Sequence, residues 1–201
     1  MHTSRASVIK YDFLSKYRFD VVLIYEGIND LWANHVTPER FRDDYVLVKA
    51  VAISLEANPQ TDPAFDFLRW KPTVSAAQQA YAQAGISNPF AQLDVAQVHD
   101  CFTLTEMLTY EDLGFCEKGC GGPAAEEGRT AIDGKTPLNT SGGLKSKGHP
   151  VGATGIAQII ELYEQLTGQA GKRQIKNAHI GLAQNMGGTG ASCVINILEA
   201  K

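Results

Sequence analysis

The sequence predicts an α/β domain: a mixed, mostly parallel sheet with helices on both faces, preceded by a short strand–helix segment. Three observations carry that reading. From Val46 onward, β-branched apolar runs of strand length alternate with segments whose apolar residues recur at helical spacing. Glycine or proline punctuates the junctions between them. The last two strand-like runs follow each other across Gly187-Gly188-Thr189-Gly190 with no helix between, which gives the sheet an antiparallel finish.

Taken in order, residues 19–25 form a buried strand-like run ended by Glu26-Gly27, and Thr37-Pro38-Glu39 opens a helix. Residues 46–55 are a second strand, followed by the turn signal Ala57-Asn58-Pro59. Residues 73–84 place Val74, Ala77, Ala80, Tyr81 and Ala84 on one helical face, stopped by Gly85. A strand over 93–98 runs straight into His99-Asp100-Cys101-Phe102, and a helix over 103–113 ends at Gly114. Residues 116–134 carry no periodicity and read as an excursion loop. A long helix follows over 156–166, then strands over 178–184 and 192–198. The order from Val46 is therefore β-α-β-α-loop-α-β-β, with helices covering the faces of the sheet.

Composition narrows the classes of function. The 201 residues carry a formal net charge of −4, 44% hydrophobic residues and 4 cysteines. That apolar share with so little net charge suits a folded domain rather than a disordered chain. No run of ~18 apolar residues offers a membrane span. A slightly acidic chain without a Lys/Arg tract gives no electrostatic reason to expect nucleic acid. Four cysteines in a chain of this length make no disulfide scaffold, and no charged-then-apolar leader opens the sequence; a reducing, cytoplasmic setting is expected.

Three constellations carry chemistry. Cys101 stands where a strand ends and a helix begins, the place where open α/β sheets put ligands and where a thiolate is favoured. The alternative there is a packed cysteine beside a surface histidine. Asn139-Thr-Ser-Gly142-Gly143 leads into Gly148-His149-Pro150-Val-Gly152-Ala-Thr-Gly155, just before a long helix. So many glycines make sense where the backbone must turn sharply or approach a ligand closely. A histidine on such a loop can move a proton or support an oxyanion. Lys145-Ser146 lies on the wrong side of the glycines for a phosphate loop. The third is Asn185-Met-Gly187-Gly188-Thr-Gly190, which reads equally as a tight turn.

Together these motifs resemble the thiolase superfamily, in which they occur in this order, and within it the sterol-carrier-protein-2-type thiolases and their archaeal and bacterial relatives. Those carry His-Asp-Cys-Phe where other thiolases have Asn-Glu-Ala-Phe. Asn185 stands where those other enzymes have a cysteine. The resemblance covers about residues 46–198. It implies an acyltransferase of lipid and fatty acid metabolism, making or thiolytically cleaving carbon–carbon bonds between coenzyme A thioesters, with the thioester as substrate and no further cofactor or metal. It implies that His149 activates the nucleophilic thiol and donates to an oxyanion, and that Cys101 is the general acid/base. His99 would serve one oxyanion hole and the Gly187 N–H a second. Asn139, Gly142, Gly143, Gly148, Asn185 and Gly188 would line the substrate site.

The family's nucleophilic cysteine lies in its N-terminal half, which this sequence lacks. Cys116 and Cys120 sit in the polar excursion, without a second ligand pair at zinc spacing, and Cys193 sits on a core-facing strand position. The resemblance therefore implies a C-terminal half (46–201), inactive alone, that forms a homo-oligomer or pairs with a nucleophile-bearing half. A non-catalytic acyl-CoA-binding or scaffolding subunit is the rival. Within 1–45, Gly27-Ile-Asn29-Asp30 resembles one block of the SGNH hydrolases, but their Gly-Asp-Ser and Asp-x-x-His blocks are absent. This implies a fused fragment, with an esterase remnant as a further alternative; any strand followed by turn chemistry reads the same way.

Overall fold

The computed structural model describes residues 46–56 and 65–201. The strand, helix and hydrolase-like fragment expected within 1–45, and the turn at 57–59, lie outside the described residues. Four strands form one sheet: β1 (Val46–Leu55), β2 (Val95–Gln97), β3 (Ile180–Gly187) and β4 (Ser192–Ala200). The helices are α1 (Lys71–Ala84), α2 (Pro89–Gln92), α3 (Thr103–Asp112), α4 (Gly121–Glu126), α5 (Gly143–Lys147) and α6 (Thr154–Leu166), with a 3₁₀ turn at Gly171–Arg173.

The spatial order is β1-β4-β3-β2. β2 and β3 pair in parallel, and Leu138 adds a parallel bridge to Ala96. β4 runs antiparallel to both of its neighbours, β3 and β1. Three of the four strands thus share a direction, as the periodicity predicts. The opposing last strand is inserted between β3 and β1 instead of finishing the sheet at an edge, so two of the three ladders are antiparallel. A tight Gly-rich connection forces β4 to lie beside β3. Nothing local dictates that β1, some 140 residues earlier, closes against its other side.

Some helix boundaries have a local cause. α1 holds Pro72 in its first turn and ends at Gly85, whose left-handed conformation (φ 71°) returns its N–H to the Tyr81 carbonyl. The excursion expected as plain loop contains α4. Pro123 sits in the first turn of that helix, where its missing N–H costs nothing.

Helices pack on both faces of the sheet, and a bulge turns β1 from one packed cluster to the other. The register slips between Val48 and Ala50, leaving Lys49 as the extra residue. Before it, Val46 and Val48 face the cluster built by Leu162 and Leu166 of α6 with Val95, Ala183 and Leu198. After it, Ala50 and Ala52 face the opposite cluster, where Ala76, Ala77 and Ala80 of α1 pack on Leu182, Cys193, Ile195 and Ile197. Alanines on both surfaces let α1 lie close to the sheet. Beyond the bulge, Val51, Ile53 and Leu55 point away from α1 and are exposed by 41%, 58% and 70%.

Candidate active site

The carboxyl ends of β2, the Leu138 bridge and β3 point the same way, and the residues after them meet there. β2 delivers His99 to Cys101, the bridge delivers Asn139 to Gly143, and β3 delivers Gln184 to Gly187. The loop before α6 brings His149 to the same place. The His99 and His149 rings meet edge to face with centroids 5.0 Å apart. Fifty residues of chain separate them, so this contact is a product of the fold.

Hydrogen bonds fix the state of each ring. His99 Nδ1 lies 2.9 Å from Asn185 Oδ1, an acceptor, so Nδ1 carries the hydrogen and Nε2 presents a lone pair. His149 Nδ1 lies 2.6 Å from Thr154 Oγ1, whose own proton goes to the Pro150 carbonyl at 3.2 Å. That assignment makes the neutral His149 a base at Nε2; once protonated, the same nitrogen becomes a donor. Burial pushes the His99 imidazole below its ordinary value, outweighing the Asn185 bond that favours the charged form; His149 adds to the lowering and Asp100 opposes it.

Cys101 is half-buried one residue before Phe102, which caps α3. Burial pushes Cys193, fully enclosed, up to about 11, and burial with the nearby Glu111 pushes Cys116 to about 11 as well. Cys101 stands between a strand end and a helix start, two residues after His99.

The glycine loops serve close approach. A Cβ on Gly143 (φ 66°) would overlap the Asp100 carboxylate. One on Gly155 would come 2.8 Å from Asn185 Nδ2, so α6 touches the residue that orients His99. Asn139 spends its side chain on the protein. Its Oδ1 accepts from the Val98 N–H at 2.9 Å and its Nδ2 donates to Glu106 at 3.3 Å. Glu106 also holds Lys145 at 2.6 Å. Gly142 and Gly148 are left-handed turns flanking α5. Gly187 and Gly188 lie where β3 turns toward β4, and a Cβ on Gly187 would meet Ser192.

Sequence reasoning assigned no role to Gln184, Thr154, Asp100 or Glu106. Gln184 is fully buried; its Oε1 accepts from the His99 N–H at 2.9 Å and its Nε2 donates to Thr73 Oγ1 at 3.2 Å. The available signal was polarity out of place, a glutamine inside the apolar run of β3.

Fold and site together define a mixed α/β domain in which two histidines meet in ring contact at the carboxyl ends of the parallel strands. A family model described as thiolase C-terminal domain-like matches residues 57–200, and the chain belongs to that family. It is 51% identical over 134 residues to an acetyl-CoA acetyltransferase of Methanothermobacter thermautotrophicus, covering 67% of this chain and 34% of that protein. It is 48% identical over 119 residues to sterol carrier protein 2 of Oryctolagus cuniculus, covering 59% of this chain and 21% of the relative. Among solved structures, the Ltp2-ChsH2(DUF35) aldolase superposes with a TM-score of 0.68 at 27% identity, over 82% of this chain and 43% of that one. The chain thus spans a fifth to a third of the length of these curated relatives.

Proposed function

We propose that this domain supplies the acid/base and oxyanion half of a thiolase-type acyl transfer on coenzyme A thioesters. The observation that carries the reading is the edge-to-face contact of His99 and His149, with Cys101 two residues after His99. Carbon–carbon bond formation between thioesters needs a base to take a proton from the acyl α-carbon and fixed donors for the enolate oxygen. Cys101 takes that proton as the base. His149, protonated at Nε2, donates to the developing oxyanion. The His99 Nε2 lone pair holds a water whose remaining hydrogen faces the same oxygen. The Gly187 N–H serves a second oxyanion at the acylated carbonyl. In the degradative direction Cys101 deprotonates the coenzyme A thiol. The acyl-accepting cysteine comes from outside these 201 residues, so complete turnover requires a nucleophile-bearing half.

One step needs no nucleophile, and it tests the reading. In D₂O the domain is expected to exchange the methyl protons of acetyl-coenzyme A for deuterium. Cys101→Ala and His149→Ala are expected to lower that rate by about 10²-fold or more, the ordinary share of a general acid/base. A wild-type protein without exchange, or variants that exchange equally well, would refute it. Covalent acetylation of a cysteine in this chain, found by mass spectrometry, would overturn the assignment of the nucleophile to another half.

A second reading, a binding or scaffolding subunit, draws on the apolar face of β1. Val51, Ile53 and Leu55 expose a contiguous row suited to a partner domain or second copy. A strictly monomeric species at micromolar concentration counts against it.

A further inference from the structure

Asp100, between His99 and Cys101, is only 2% exposed, yet among the described residues no cation pairs with it. Its Oδ1 accepts the Leu144 N–H at 2.8 Å. Its carboxylate fills the space where a side chain at Gly143 would stand. Gly142 (φ 94°) and Gly143 (φ 66°) are successive residues at positive φ, and the turn they make carries the Leu144 N–H onto the protein's own Asp100 side chain.

The bond closes a zipper between two segments. Pro137 O accepts from the Ala96 N–H at 3.0 Å, and Ala96 O accepts from the Asn139 N–H at 2.9 Å. Asn139 Oδ1 then holds Val98, and Asp100 holds Leu144. At Asp100 one segment presents His99 and Cys101. The other enters α5, whose Leu144 carbonyl accepts from the Gly148 N–H at 3.1 Å, immediately before His149. The last tooth therefore sets how far the two histidine-bearing segments stand apart.

We propose that Asp100 is a positioning residue, whose buried carboxylate seated in the Gly142–Gly143 turn holds the His99/Cys101 segment in register with the loop that carries His149. It rests on the reading of these residues as the active centre, but its test uses no thioester, so either can fail alone. The titratable groups facing Asp100 are His99 and Tyr110; those facing His99 are His149 and Asp100.

The experiment uses the full chain and two nuclear magnetic resonance readouts: the nuclear Overhauser contact between the His99 and His149 rings, and Leu144 amide exchange. Asp100→Ala is expected to lose the ring contact and to quicken Leu144 exchange by about tenfold or more, as loss of a charge-assisted hydrogen bond does. Asp100→Asn keeps an acceptor for Leu144 and is expected to keep the ring contact. Gly143→Ala, which displaces the carboxylate from the opposite side, is expected to lose the contact while Asp100 is intact. It therefore carries the test if Asp100→Ala does not fold. A ring contact that persists in Asp100→Ala or in Gly143→Ala overturns the proposal. So does Asp100→Asn behaving like Asp100→Ala, which would remove the Leu144 bond as the agent.

Discussion

Removing Arg173 isolates the anchor of α6, the helix that carries Thr154 and so orients His149. The guanidinium donates to both oxygens of Glu161, from Nε at 3.2 Å twice and from Nη2 at 2.9 Å, and to Glu164 at 2.7 Å. Glu161 is 4% exposed and also accepts from Thr140 at 2.8 Å and Gln165 at 3.0 Å. Arg173→Ala leaves that carboxylate buried with two neutral donors. Breaking a buried pair costs about 3–5 kcal/mol. Because the Arg173 side chain is 43% exposed, water enters the vacated space, and a loss of about 2–3 kcal/mol is expected at pH 7. For a chain of this size that lowers Tm by roughly 5–10 °C. Burial by itself would raise the Glu161 carboxyl, but the bonds from Arg173, Gln165 and Thr140 outweigh it and hold the group below its ordinary value. Its contribution is therefore complete above the ordinary carboxylate value and lost as pH falls through the folded one. The gap between wild type and variant should persist in urea titrations from pH 7 down to about the ordinary carboxylate value, near pH 4.3, and narrow only as pH falls further. Arg173→Lys, which keeps a cation but not the fork, should fall between them. A gap that is absent at pH 7, or that stays constant with pH, would refute the ion-pair account.

Two further outcomes are expected. Leu162 is fully enclosed against Val95, Ala183 and Leu198, with its Cδ2 2.9 Å from where a Cβ of Gly181 would lie. Leu162→Ala should cost about 2.7–5 kcal/mol, seen as a lower urea midpoint at unchanged slope. His99, held below its ordinary value mainly by burial, contributes stability above about pH 6.5 that is lost as pH falls through that value. His99→Asn should flatten the stability profile between pH 7.5 and 5.5, and an identical slope in the two proteins would count against a buried neutral imidazole.

The elements of this domain were legible because their signals are local. Apolar periodicity marked β1 to its last residue, Gly85 marked the end of α1, and the glycine run marked the β3–β4 turn. The short α4 was not legible, since six residues with two glycines show no helical period and form a helix only against α3. The motifs around Cys101, His149 and Asn185 were visible as residue types in a given order.

Their roles toward one another were not. That His99 meets His149, that Asn185 sets the His99 tautomer, and that Asp100 fills the turn at Gly143 follow from pairings across 43 to 86 residues. The insertion of β4 between β3 and β1, and the Lys49 bulge that turns β1 from one core cluster to the other, belong to the same category. By itself the sequence determined which segments become strands and the longer helices, because backbone conformation and side-chain periodicity act over a few residues. The tertiary structure decided which strand ends lie side by side and which nitrogen of His99 is free, because burial and hydrogen bonding act between segments only after the chain has closed on itself.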